Sequence, residues 1–321
     1  MSSAETDKTA GCNLLLYRMY IVLKTSVANG RLRRWPAAKK GLEQFKDLIR
    51  RRFLRKMQAW VQIQSGLSQG MWMQIAIPGE GFLWRGEHEP EVQMAISAAL
   101  RPGAVFYDVG AHVGIMTLGA ARLVGPAGRV VAFDGDPENI QRLRANTAKN
   151  GLEDRLQVVH TAIWSRTVAG GISFRRGASA RSQGGVEADG TRPVLATGEI
   201  VNVPAITLDD FVAAGGPLPQ LVKIDVEGGE YEVLRGAAKI FATQRPFIVA
   251  EIHHQEAAEQ IVSWLNQCRY AAKWKIPDEQ FPRRLFAWPA EKDGEAWARE
   301  AWVREAGARE AGARGASSST H

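Results

Sequence analysis

VFYDVGAHVG, residues 105–114, joins two elements. An apolar run stops at Asp108, a glycine-bearing turn follows, and a helix begins near Val113. A short strand that is apolar throughout buries both of its faces, as strands of parallel sheets do. Gly110 lets the backbone pass close to a ligand, and Gly114 lets the helix lie tight against the strand. Open α/β sheets bind ligands outside the carboxyl ends of their strands, so this turn is a candidate cofactor loop.

The same alternation extends to both sides. Upstream, a helix runs from Pro90 to Leu100 and stops at Arg101-Pro102-Gly103. Downstream, Val113 to Val124 is helical, Arg129 to Phe133 is a strand, and Pro137 to Asn150 is a helix opened by proline. Leu156 to His160, Leu221 to Ile224 and Pro246 to Ile252 are further strands. The last two are followed by helices over Gly229 to Phe241 and Gln255 to Gln267. Strands alternating with helices predict an α/β fold: a mostly parallel sheet covered by helices on both faces. Residues 165–200, with seven Gly and five Arg, break the rhythm. They read as an antiparallel insertion with strands at Gly171 to Arg175 and Glu199 to Val203, since long structureless loops are uncommon in compact domains. Residues 71–84 read as a strand, a Pro-Gly turn and a second strand.

The 321 residues carry 41 Lys+Arg against 34 Asp+Glu, a net charge of +7. Residues 1–56 hold 14 basic and 4 acidic residues, so the remainder is net −3. A body that close to neutral argues against a broad nucleic-acid-binding face. Apolar residues make up 45%, enough for a full core. Two cysteines, Cys12 and Cys268, make neither a disulfide framework nor a cysteine-rich zinc site. Leu14 to Leu23 is too short for a span and lacks the small-residue cleavage site of a signal peptide. Leu42, Phe45, Ile49, Phe53, Met57 and Trp60 recur in steps of three and four, predicting an amphipathic helix with a basic opposite face. Such a helix either packs on the body or docks on a membrane surface or partner through residues 38–60. The chain thus divides into a basic arm and helix (1–65), a main domain (66–290, with the insertion at about 165–205) and a low-complexity tail (291–321). The expected location is cytoplasmic, with a membrane face as the alternative, and the oligomeric state is left open.

A dinucleotide site uses G-x-G-x-x-G, so that pyrophosphate meets bare backbone. Here Asp108 stands at the first glycine position and His112 lies in the turn. A cofactor with an ammonium group and no phosphate matches better, as S-adenosylmethionine does. The next strand ends in VVAFDGDP, residues 130–137, where Asp134 is placed to accept ribose hydroxyls.

These stretches resemble the FkbM family of S-adenosylmethionine-dependent methyltransferases. The matching segments are Pro102-Gly103, DVGAHVG (108–114), AFDGDP (132–137), ITLDDF (206–211), LVKIDVEGGEYEVLRG (221–236) and AEIHH (250–254). His112 stands where the family usually has Asn, and Asp134 and Gly135 where it has Glu and Pro. The resemblance implies a class I methyltransferase, Rossmann-like fold and O-methylation of a sugar, glycan or polyketide-like small molecule. It implies cofactor contacts at Asp108, Gly110, Ala111, His112, Gly114 and Asp134, with Ala162 bordering adenine.

In KIDVEGGE, Asp225, Glu227 and Glu230 crowd one turn. Carboxylates this close raise one another's pKa, which suits general-base work. Glu230 also fits a helix-capping role, since acids favour helix N-termini. Lys223 is a nearby countercharge, although strand alternation can direct it away. Glu251 and His253 share a strand face. The expected catalytic set is Asp225, Glu227, Glu251 and His253, with Glu227 or His253 as base and Asp225 as orienter. Asp225, Glu251 and a histidine also suit Mg²⁺, but the spacing is not diagnostic and no metal requirement is expected. The competing reading is a non-catalytic scaffold that docks to a membrane or acidic partner through the basic arm.

Overall fold

The computed structural model describes residues 57–77, 79–176, 185–186, 199–275, 280–294 and 297. The basic arm, the first part of the proposed amphipathic helix and the tail after Val303 lie outside the described residues.

The elements in chain order are β1 (Met57–Gln62), β2 (Trp72–Ile77), α1 (Gly81–Arg85), α2 (Pro90–Ala99), β3 (Val105–Val109), α3 (Ile115–Val124), β4 (Arg129–Asp134), α4 (Pro137–Lys149) and β5 (Leu156–His160). The insertion follows as β6 (Ala162–Ile163), β7 (Val168–Arg175), β8 (Gly185–Val186) and β9 (Ile200–Ile206). Then come α5 (Leu208–Ala213), β10 (Leu221–Ile224), α6 (Glu230–Arg235), α7 (Ala238–Thr243), β11 (Phe247–Ile252), α8 (Gln255–Gln267), β12 (Tyr270–Trp274) and β13 (Arg283–Pro289).

The central sheet has the order β12-β13-β11-β10-β3-β4-β5. β11, β10, β3, β4 and β5 run parallel, and β13 is antiparallel to both β11 and β12. After β3 the chain builds outward through β4 and β5, then returns to β3's other side with β10. The strand order therefore reverses between β3 and β10, where open α/β sheets hold their ligands. One apolar cluster joins the first hairpin, α2 and α3 to the sheet, and a second packs the helices around Phe241 and Ile261 on the sheet. The predicted class I sheet with helices on both faces is what the chain forms.

Three local readings change. Met57 and Trp60 lie in β1, not on a helix, and β1 pairs antiparallel with β2. Their step of three suits a helix and puts them on opposite faces of a strand, but burial of Ala59 and Val61 on one face marks the strand period. Residues 81–85 form α1 instead of a strand, ended by Gly86 in the left-handed region. Just before it, Glu80 is buried against Arg142 of α4, a pair that ties this turn to the domain. The helix expected from Gly229 to Phe241 is broken into α6 and α7. The Gly236 carbonyl accepts from Asp209 N–H at 3.0 Å, and the Asp209 carboxylate accepts from Lys239 and Ile240 N–H, capping α7. Thr207 caps α5 by accepting from Asp210 N–H at 2.8 Å. Part of the ITLDDF segment is therefore helix-capping hardware.

The insertion forms its own sheet, β6-β9-β7-β8, with β7 and β9 antiparallel as the sequence suggests. β12, at the edge of the central sheet, and β13, between it and β11, have no counterpart in the sequence reading.

Candidate active site

The turn after β3 is fastened to both neighbouring strand tips. Gly110 and Ala111 N–H donate to the Phe133 carbonyl at the end of β4, at 2.9 and 3.0 Å. On the other side Asp225 N–H donates to the Val109 carbonyl at 3.0 Å. Gly110 has φ 78°, and a Cβ there would lie 1.7 Å from the Asp225 carbonyl oxygen. Only glycine fits this crossing. His112 (φ 51°) turns its N–H onto Asp134 Oδ2 at 2.8 Å. Burial holds the His112 imidazole down to about 4, so the ring is neutral.

An open cleft of about 550 Å³ lies over these tips, lined among others by Gly110, His112, Asp134, Ala162, Trp164 and Asp225. Asp108, Ala111 and Gly114 do not line it: they pack within the loop. Asp108 is buried, accepts from Thr117 Oγ1 at 2.6 Å and lies 3.3 Å from Lys223 Nζ. Asp134 Oδ1 accepts from Asp136 N–H (2.8 Å) and Asn139 Nδ2 (3.2 Å). Burial pushes the Asp134 carboxyl up to about 7, although these three donors oppose the rise. A carboxylate offers about four lone-pair sites, so Oδ2 retains capacity toward the cleft.

Gly135 stands next to Phe174 of β7, whose ring would lie 2.8 Å from a Cβ built there. Phe174 also lines the cleft. Gly135 leaves room for a ring supplied by the insertion.

Lys223 points inward. Its Nζ donates to the Gly110 carbonyl at 2.8 Å and sits 3.3 Å from both Asp108 Oδ1 and Asp225 Oδ2. Positions 223 and 225 share alternation parity, so the strand that presents Asp225 also presents Lys223. Burial opposes the ammonium charge, but Asp108, Asp225 and Glu89 raise it above the ordinary lysine range.

The second cluster surrounds His253. Its Nδ1 lies 2.8 Å from Glu230 Oε1, which also accepts from Gly228 N–H at 2.7 Å. Glu230 thus stands in the first turn of α6, where the sequence placed it, but makes no side-chain cap bond to the helix; it closes the turn before it and fixes the imidazole. His253 Nε2 faces Glu227 Oε2 at 3.4 Å, Asp225 Oδ1 at 3.9 Å and Glu251 Oε1 at 4.0 Å. Burial disfavours the imidazolium, yet the Glu230 bond and the charges of Glu230, Asp225 and Glu227 carry it to about 10. Burial raises Glu227, with His253 countering. Burial likewise raises Asp225, with Lys223 countering. Glu227 has φ 53°, a left-handed conformation that turns it toward this group.

Glu251 is drawn into a further set. Burial and a hydrogen bond with Glu89 push it up to about 9. Burial would raise Glu89 too, but that bond and the charges of His88, Lys223 and Arg284 take it to about 2. Arg284 Nη2 lies 3.2 Å from Glu251 Oε2 and 3.4 Å from Glu89 Oε1. The structure therefore brings Asp225, Glu227, Glu251 and His253 together. Glu230 and Lys223, both noted in the sequence, join them, and parity places Lys223 beside Asp225 and not away from it. Glu89 and Arg284 are new, since nothing in the local sequence around them announces a partner far along the chain.

The sequence profile described as the Methyltransferase FkbM domain matches residues 108–272. The 31-O-demethyl-FK506 methyltransferase FkbM of Streptomyces tacrolimicus is 32% identical over 200 residues, covering 55% of this chain and 76% of that protein. The hexuronic acid methyltransferase AglP of Haloferax volcanii is 28% identical over 172 residues, covering 53% of this chain and 64% of that protein. The crystal structure of Methyltransferase FkbM from Methylobacillus flagellatus KT superposes with a TM-score of 0.42 at 15% identity, covering 66% of this chain and 58% of that one. With more than half of its length inside the matched domain and the loop, strand tips and carboxylate cluster in place, the chain belongs to the FkbM methyltransferase family and is an S-adenosylmethionine-dependent methyltransferase.

Proposed function

We propose that the chain moves the methyl group of S-adenosylmethionine to a hydroxyl oxygen of a sugar, glycan or related small molecule. The observation that carries this reading is one cleft with Asp134 and Asp225 both in its wall, the latter leading to Glu227 and His253. Its described lining holds carboxylates and no Arg or Lys, which suits a cofactor bearing an ammonium and a sulfonium. The names of the two relatives support this reading: one acts on 31-O-demethyl-FK506, which names an oxygen position, and the other on a hexuronic acid.

In this reading Asp134 accepts from the ribose hydroxyls, Ala162 and Trp164 border the adenine, and Gly110 and His112 give backbone contacts. Asp108 acts through Lys223, holding the Gly110 carbonyl in place. The cofactor supplies an activated methyl electrophile, so the chain's task is geometry plus removal of one proton. Glu227 is the base: it is the most exposed member of the cluster, with a raised pKa. His253, charged and fixed by Glu230, holds Glu227 and Asp225 in position. No helix among the described residues is long and apolar enough to cross a membrane, and contact of residues 38–60 with a membrane surface remains a separate proposal, tested by vesicle co-sedimentation.

Asp134→Ala is expected to abolish S-adenosylmethionine binding in calorimetry; unchanged affinity removes Asp134 from the ribose site. The same titration carries a pH signature. The Asp134 carboxyl of the free protein sits at about 7, so it is ionised above that value and neutral below it. Cofactor affinity is therefore expected to fall as pH drops from about 8 to 6, and a flat profile counts against this acceptor. Glu227→Gln is expected to keep cofactor binding and lower kcat by about 10²–10⁴-fold. Full turnover in that variant excludes Glu227 as base. A methyl-transfer screen with nucleotide sugars and surface glycans identifies the acceptor.

A further inference from the structure

His253 is arranged as metal-ligating histidines usually are. Its Nδ1 is tied to a fully buried carboxylate, Glu230, which fixes the tautomer and leaves Nε2 aimed outward. Nε2 meets the oxygens of Asp225, Glu227 and Glu251 within 3.4–4.0 Å. One ligand atom from each of Asp225, Glu227 and His253 lies within 4.8 Å of the others. A second observation is independent of that crowding. Asp225 is 5% exposed and its Oδ2 pairs with Lys223, yet its Oδ1 is buried without a hydrogen-bond partner. That oxygen is the one turned toward His253 Nε2.

The geometry points to a divalent cation site formed by Asp225 Oδ1, Glu227 Oε2 and His253 Nε2, with the cation taking the place of the Nε2 proton that His253 carries without it and Glu230 orienting the imidazole. This departs from the sequence expectation that no metal is needed. It rests on and deepens the reading above, because Asp225 also lines the cleft. Carboxylates with one imidazole and no thiolate suit Mg²⁺ or Mn²⁺. Three protein ligands leave further octahedral positions for water and for an acceptor hydroxyl, whose acidity such an ion raises. Glu227 would bind through Oε2 and keep Oε1 for the departing proton, so the base assignment survives. Four carboxyl groups converge on one imidazole here, and the cation meets the charge that Lys223, engaged on the other side of Asp225, does not.

The test is direct. The full chain, stripped with chelator, is titrated with Mn²⁺ and the free ion is followed by electron paramagnetic resonance. The expected result is one saturable site. Glu227→Gln, on the half-buried member, should weaken it at least about tenfold, as should Asp225→Asn, and Glu230→Gln by about 10–100-fold through the imidazole. Circular dichroism and S-adenosylmethionine calorimetry establish that each variant is folded, and Glu227→Gln serves if Asp225→Asn is not. The proposal is overturned if the wild-type chain leaves the Mn²⁺ signal unchanged, or if Glu227→Gln binds as tightly as wild type. A stripped chain that binds no Mn²⁺ but still transfers methyl groups overturns the cation site and leaves the proposed function standing. Saturable Mn²⁺ binding in a chain without affinity for S-adenosylmethionine supports the site and sinks the cofactor reading.

Discussion

Gly110→Ala is expected to yield a protein that melts well below wild type and has lost measurable affinity for S-adenosylmethionine. The added methyl would sit 1.7 Å from the Asp225 carbonyl oxygen, a backbone atom. Rotating a side chain cannot relieve it. Nor can the two strand tips part easily, because Asp225 N–H is bonded to the Val109 carbonyl and Lys223 Nζ to the Gly110 carbonyl. The left-handed φ of 78° adds about 1–2 kcal/mol for any residue with a Cβ. Separating the tips breaks these bonds as well, so the total reaches about 3–5 kcal/mol, at the upper end for point substitutions. For a domain of this size that corresponds to a Tm lower by about 6–20 °C. The cofactor loop moves with the tip, so binding goes too. A melting curve and a calorimetric titration check both parts; a wild-type Tm would show that the strand tips are less closely joined than the hydrogen bonds indicate.

Lys223→Met should be nearly as damaging, by a different route. It keeps the length of the aliphatic stem and removes the charge that sits 3.3 Å from both Asp108 and Asp225. Two buried carboxylates then face each other across the loop without a cation. Removing one partner of a buried ion pair costs about 3–5 kcal/mol, largely from the charge left behind. Asp108→Asn in the same chain removes one of the stranded charges. The double variant should therefore recover about 1–2 kcal/mol of the loss, a coupling typical of groups in contact. Urea unfolding of the single and double variants measures it. Strict additivity would mean that Asp108 and Asp225 do not share Lys223 as a counterion.

The sheet was legible because its strands are buried on both faces, and that leaves unbroken apolar runs such as Leu221 to Ile224. Pro137 and the Pro102-Gly103 stop marked helix ends by chemistry that needs no partner. Reading failed where a local pattern suits two structures. Met57 and Trp60 fit a helix by spacing, and only pairing with β2 makes them strand. The break at Gly236 depends on Asp209, far back in the chain. In the site, the loop and both acidic tips were legible because they are contiguous motifs. Asp108 was expected to face the ligand, but the structure turns it onto Lys223 and Thr117. Glu89 and Arg284 join Glu251 through tertiary contacts alone, so no window of sequence could have shown them.

The contact between Gly135 and Phe174 has a practical consequence for anyone redesigning the enzyme. The ring that closes one side of the cleft is borrowed from the insertion, and the main sheet leaves a bare glycine to receive it. A chimera that exchanges the insertion to alter acceptor choice would remove this wall. Such a graft should carry its own aromatic residue opposite Gly135, or refill the gap with a larger residue there. Otherwise a change meant for the acceptor would appear first as a loss of cofactor.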